Sequence, residues 1–272
     1  MKKLLALVLS VVMMLCVCSA ALAETAGSTM TANSLQMVLD NGVFKVGLDV
    51  GFAPMGFYEE GTDNIIGYDI DLAAEVASRL GVAVEFVPVV WETKEMELDA
   101  YTIDCVWNGM SITPARQEVM TISDAYLTNN IVILIKEGTA DSLADLENKT
   151  VGVQSGSTAE DLMNGEYAEF ASKAEVLAFE DYVAAIMDLT NGNLDAIIID
   201  EVVANYQIQV MGLEGYTIID PLSEDLYGVG FRKGDYMLCG AVEEALLDMA
   251  EDGTLAEIST KWFGSDVALI GK

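Results

Sequence analysis

The stretch Asp104-Cys-Val-Trp-Asn-Gly-Met-Ser-Ile-Thr-Pro-Ala-Arg116 holds more information than any other part of this chain. Residues 103–107 form an apolar run with the length and composition of a buried strand. The run ends in a polar turn around Gly109. Thr113-Pro114 then has the form of a helix start, with threonine as cap and proline at the first helical position. Backbone N–H groups, the Ser111 hydroxyl and the Arg116 guanidinium fall within a few residues of one another, a combination suited to a carboxylate. The chain has 44 Asp and Glu against 13 Lys and Arg, so Arg116 is a scarce cation. Taken alone, a surface arginine following a Thr-Pro helix start accounts for the stretch equally well.

On both sides of this strand–turn–helix unit, strand and helix signals alternate, the pattern of an α/β fold. Upstream, residues 43–48 read as a strand. Residues 69–80 read as a helix capped by Asp69 and stopped by Gly81. A strand at 82–89 and a helix at 92–101 follow. Downstream, the β-rich segment 130–135 precedes a second series: a strand at 149–153, a helix opened by Gly156-Ser157-Thr158, a helix at 181–189 stopped by Asn191-Gly192, and a buried strand at 196–199. A helical tail, 237–262, is broken near Gly253. Two αβ series with a returning tail predict two lobes and two crossings.

The N-terminus reads differently. Lys2-Lys3, an apolar run over 4–18 and Ala21-Leu22-Ala23 have the form of a secretory signal peptide, residues 1–23. Cys16 and Cys18 raise a cell-surface lipoprotein alternative, although Leu15 and Val17 before them are not small. Residues 24–38 read as a flexible mature N-terminus. Loss of Lys2 and Lys3 with the leader leaves 11 Lys and Arg against 44 acids, a net charge of −33. Such a chain repels nucleic acid and anionic membranes. No later segment is long and apolar enough to span a membrane, so a permease is excluded. With no histidine and no metal-ligand spacing, Ser–His and Cys–His chemistry and a metal centre are disfavoured, and no cofactor is expected. Cys105 and Cys239 sit in apolar surroundings and read as two buried thiols.

Three further places can carry chemistry. Gly152-Val-Gln-Ser-Gly156-Ser157-Thr158 lies between a strand and a helix, where free N–H groups meet anions. Its spacing is too short for a P-loop and the lysine is missing. It also reads as a plain turn with Ser157 or Thr158 as N-cap. Asp200 ends a very apolar strand, where α/β crevices form, and is poised for an ammonium or else caps the segment from Glu201. Asp49 ends the first strand, three residues before Phe52. It is a polar contact beside an aromatic wall or a turn residue. Trp91 and Trp107 are core or stacking residues.

Together these pieces resemble the family-3 extracellular solute-binding proteins of polar amino-acid ABC transporters. The resemblance runs through Val46-Gly-Leu-Asp49 with Phe52-Ala-Pro54, Gly67-Tyr-Asp-Ile-Asp-Leu-Ala73, Leu80-Gly81, the 104–116 stretch, Ser123-Asp-Ala-Tyr126, Val151-Gly-Val-Gln-Ser-Gly-Ser157, Leu194-Asp-Ala-Ile-Ile-Ile-Asp200, Asp252-Gly-Thr-Leu and Trp262-Phe263. Met55-Gly56 and the Ala-Tyr-Thr before Ile103 depart from the family pattern.

The resemblance implies an α/β, type II periplasmic-binding-protein fold whose two lobes close on a ligand cleft. Lobe 1 would be residues 39–127 plus 222–272, and lobe 2 residues 128–221. It implies that Arg116, with Ser111 and the backbone around Gly109 and Met110, holds an α-carboxylate, which Thr158 and the Ser157 backbone meet from the other lobe. Asp200 would take the α-ammonium. Asp49, Phe52 and Trp91 would line the side-chain pocket, with Asn108 and Gln154 at its edge. The implied partners are a polar amino acid, glutamine- or cystine-like rather than basic, and a membrane ABC permease. The protein would be an extracytoplasmic monomer and not an enzyme. A dehydratase-like enzyme on the same fold and a sensor ectodomain are the alternatives.

Overall fold

The computed structural model describes residues 34–272; the predicted leader with Cys16 and Cys18, and residues 24–33, lie outside the described residues. Helix α1 (Ser34–Asn41) leads into strand β1 (Val43–Leu48). Short strands β2 (Gly51–Phe52), β3 (Gly56–Tyr58) and β4 (Ile65–Ile66) make a small antiparallel sheet. Helix α2 (Tyr68–Leu80), β5 (Ala83–Pro88), a 3-10 turn (Trp91–Thr93) and α3 (Lys94–Asp99) come next, then β6 (Cys105–Ser111), α4 (Pro114–Val119), β7 (Met120–Ile122) and the long β8 (Leu127–Lys136). The second series is β9 (Thr150–Gln154), α5 (Thr158–Asn164), α6 (Ala168–Ala171), β10 (Glu175–Phe179), α7 (Tyr182–Asn191), β11 (Ala196–Asp200) and α8 (Glu201–Gln209). Strand β12 (Tyr216–Arg232) returns, and α9 (Tyr236–Asp252) and α10 (Thr254–Phe263) close the chain.

Nine strands form one sheet in the order β10-β9-β11-β8-β12-β6-β1-β5, with β7 also on β12. Parallel triplets stand at both ends: β5, β1 and β6 in one lobe, β10, β9 and β11 in the other. Among the described residues, only β8 and β12, antiparallel to each other, carry the sheet from lobe to lobe. Their pairing breaks between Ile219 and Ser223, so the sheet turns there instead of running flat.

Alternating residues explain why these strands are buried on both faces. In the second lobe Ile131, Ile133, Ile135, Val151, Val153 and Ile198 pack with Phe170 and Met163 on one side. Val132, Leu134, Ile197 and Ile199 pack against α7 and α8 on the other. Truncating one of these isoleucines to alanine costs about 2–5 kcal/mol.

Two expectations need correction. Residues 34–38 belong to α1 and are not a flexible tail: Ser34 and Val38 are each 1% exposed. Val38 enters the core and the Ser34 hydroxyl bonds Asp235, two long-range contacts that the tract's local polarity conceals. Asp69 does not cap α2. The cap is Gly67, and Gly81, at φ 76°, stops the helix as expected. Cys105 and Cys239 are buried and unpaired. Among the described residues, no helix is long and apolar enough to cross a membrane, and no group of His, Cys, Asp and Glu is arranged to hold a metal.

Candidate functional site

The carboxyl ends of β1, β6, β9 and β11 face the crevice between the lobes, the place where open α/β sheets gather ligands. Nine of the twelve expected residues line one small cavity there, about 10 Å³ with the lobes shut: Phe52, Trp91, Gly109, Ser111, Arg116, Gln154, Ser157, Thr158 and Asp200. A larger groove of about 550 Å³ lies at the crossing strands, along Ile112, Thr128, Asn129, Asn130, Glu224, Asp225 and Leu226. It is open and lacks a buried cation, so the smaller cavity is the better candidate.

Arg116 forms the cationic pole. Thr113 caps α4 by accepting from Arg116 N at 3.2 Å, which sets the guanidinium back over the end of β6. There Nη1 donates to Ser111 O at 3.0 Å, and Nη2 reaches across the cleft to Gly156 O at 3.2 Å. The group lies 5.9 Å from the Trp91 ring centre. Burial pulls its pKa down and the charges of Asp161 and Glu95 oppose this, so it stays a cation.

From the other lobe, Ser157 caps α5 by accepting from Glu160 N at 3.2 Å, and Thr158 opens the helix. The Thr158 Oγ1 is buried without a hydrogen-bond partner among the described residues. Gly109, at φ 57°, could not carry a side chain: a Cβ would stand 2.7 Å from Phe52 Cε1. Its N–H donates to Asp69 at 2.7 Å, so it is spent within the protein and does not face a ligand. Ser111 Oγ likewise donates to Asp225, at 2.7 Å.

Asp200 forms the anionic pole. It precedes α8 but makes no side-chain cap, so the capping reading of this residue falls. Its carboxylate instead accepts from Asn129 Nδ2 at 2.7 Å, Tyr227 OH at 2.7 Å and Tyr182 OH at 3.3 Å. Burial, then the charge of Asp225, push its pKa up to about 7 against the pull of Tyr227 and Arg116.

Beyond the poles, Phe52 and Trp91 supply aromatic walls. Asp49 serves both readings at once, accepting from Gly51 N at 2.8 Å as a turn residue and from Gln154 Nε2 at 2.6 Å across the cleft. It borders an adjoining recess shared with Trp91, Glu180 and Asp181, and burial raises its pKa to about 6. Asn108 ties strand ends together, accepting from Asp49 N at 3.0 Å, and does not line the cavity. The Met110 side chain packs in the core with Ile103, Val106 and Met120. Trp107 is fully buried core.

Sequence reading missed several residues. Lys94, only 3% exposed, donates to Trp91 O at 3.2 Å and across the cleft to Gly156 O at 3.3 Å, with Glu95 at 3.2 Å. Asp69 anchors Gly109, and Asn129, Asp225, Tyr182 and Tyr227 surround Asp200 and Ser111. Lys94–Gly156, Arg116–Gly156 and Asp49–Gln154 all bridge the lobes, so this is the closed form.

Two α/β lobes, joined by two crossing strands and shut over a polar cavity, define a binding protein that works by lobe closure. The chain belongs to the bacterial extracellular solute-binding proteins, family 3, whose profile matches residues 44–265. It is 31% identical over 237 residues to the L-cystine-binding protein TcyJ of Escherichia coli K12, spanning 86% of this chain and 87% of that one. The arginine-binding extracellular protein ArtP of Bacillus subtilis is 33% identical over 210 residues, 76% of this chain and 80% of that one. In structure, the chain is similar to an ABC uptake transporter substrate-binding protein from Streptococcus pneumoniae with bound histidine: TM-score 0.84, 33% identity, 88% of this chain and 98% of that one.

Proposed function

We propose that this protein binds a polar amino acid reversibly outside the cytoplasmic membrane and presents it, in the closed form, to a membrane ABC permease. The observation that carries the reading is one cavity holding a buried cation from one lobe, Arg116, and a buried carboxylate from the other, Asp200. An α-carboxylate meets Arg116 and the free Thr158 hydroxyl, and an α-ammonium meets Asp200. Charge-assisted hydrogen bonds contribute about 1.5–3 kcal/mol each. Micromolar affinity needs about 8 kcal/mol, so a few such contacts with aromatic burial suffice. Because they come from both lobes, the ligand favours closure.

The far end of the ligand meets Asp49, Gln154 and the acidic recess, which suits N–H donors. Asp49 is already engaged by Gly51 and Gln154, so a neutral polar end, glutamine- or cystine-like, is favoured over a basic one. The relatives' names, which specify cystine and arginine, support an amino acid without choosing one. We take the lobes as residues 34–127 plus 222–272 and 128–221, with the boundaries on β8 and at the break in β12, and the protein as a monomer that binds without turnover. The family's extracellular character supports export by the leader.

Calorimetry and thermal shift with the twenty amino acids and cystine test the proposal. One or a few should bind at micromolar level and be recovered unchanged. Arg116→Ala and Asp200→Ala should each lower affinity at least a hundredfold while the ligand-free protein still melts cooperatively. Wild-type affinity in either variant, or conversion of the ligand, overturns the proposal.

A further inference from the structure

Asp200 is held by a chain of contacts that runs through the crossing strands. Asn129 on β8 gives one amide nitrogen to both Asp200 (2.7 Å) and Asp225 on β12 (3.1 Å). Asn129 and Asp225 face each other in register where the sheet passes between lobes. Ser111 Oγ donates to Asp225, and Ser111 O accepts from Arg116, so the chain ends at the opposite pole of the cavity. Asn129 is 5% exposed and its Oδ1 accepts from Val202 N at 3.4 Å, which fixes the direction of the amide.

We infer that Asn129 and Asp225 are positioning residues that set the ionisation of the ammonium acceptor Asp200, Asn129 by bridging two carboxylates and Asp225 by opposing the charge of its neighbour. This inference rests on the assignment of Asp200 to the ligand ammonium. Two carboxylates on one shared donor repel each other, and the donor between them offsets part of that repulsion. The groups facing Asp200 are Asn129 from β8, Tyr182 from α7, Tyr227 and Asp225 from β12, and Arg116 from α4. Of the charged ones, Arg116 favours ionisation and Asp225 opposes it.

The test is the pH dependence of affinity from pH 5.5 to 8.5, using the best non-histidine binder of the amino-acid panel. Below the pKa of Asp200 in the free protein, affinity should fall about tenfold per pH unit. Asp225→Asn removes the opposing charge, so the midpoint of that fall should move down by about half a unit or more. Asn129→Leu removes the shared donor, so the midpoint should move up. A purely structural role would lower affinity equally at every pH in both variants, and unmoved midpoints overturn the inference. Asp200→Asn is the control for the underlying assignment. If it abolishes binding while the midpoints stay put, this inference alone fails. If it binds like wild type, or no panel member binds, both readings fail.

Discussion

The Thr158 hydroxyl lines the cavity and is buried with no hydrogen-bond partner among the described residues, which supports the proposal that it meets the ligand. Thr158→Val keeps the side-chain shape and removes the donor. Affinity should drop about tenfold, the value of one hydrogen bond to a charged group, and the ligand-free melting temperature should hold or rise. A fall in melting temperature with unchanged affinity, read by calorimetry and thermal shift together, would contradict this. Arg116 and Asp200 were legible in the sequence because each is conspicuous locally, a scarce cation after a turn and a carboxylate ending an apolar strand. Asp225 and Asn129 were not. Each gains its meaning from a neighbour 71 to 114 residues away, and their own surroundings read as ordinary polar strand.

At the scale of elements, the 3-10 turn and α3 act as one short arm reaching over the cleft. Trp91 forms a cavity wall, and Lys94 lies 4.8 Å from its ring centre with its ammonium on Gly156 of the other lobe. Burial and the neighbouring Arg116 charge lower the Lys94 pKa to about 8. Lys94→Met keeps the apolar stem and loses the bond across the cleft, so dissociation should speed up several-fold with association nearly unchanged, a difference visible in stopped-flow traces. Equal effects on both rates would place Lys94 in ligand capture and not in holding the lobes shut. The helices themselves were foreseeable from caps and glycine stops. The reach of this arm was not, because the carbonyl it meets lies 62 residues later.

At the scale of the whole molecule, six carboxylates share one direction of shift, each chiefly by desolvation: Asp49 to about 6, Asp69 to about 7 and Asp200 to about 7, with Asp104, Asp225 and Asp235 also raised. Folded-state pKa values above the unfolded one mean that folding binds protons. Their favourable contribution is complete below the ordinary carboxylate range and is lost as pH rises through 6 to 7. Asp252, held down to about 2, acts in the opposite sense, but only in stronger acid. The ligand-free melting temperature should therefore fall between pH 5 and pH 8, and Asp69→Asn, which keeps an acceptor for Gly109, should flatten that slope. A melting temperature rising with pH across this range would show that the exposed acids, and not these raised carboxylates, govern stability.

The order of strands in the sheet also dictates an order of assembly. Strand β12 sits between β6 and β8, so the edge of β6 stays unpaired until the chain has been made, or has emerged, as far as Arg232. The second lobe's parallel triplet comes from residues 150–200 and can form before that point. The first lobe needs partners more than a hundred residues apart, a contact that is slow to form. A chain threaded through a membrane from its N-terminus would thus keep the β6 side of the cleft, with Ser111 and Arg116 beyond it, unassembled until β12 arrived, and would complete its binding site only after the whole of the second lobe had passed.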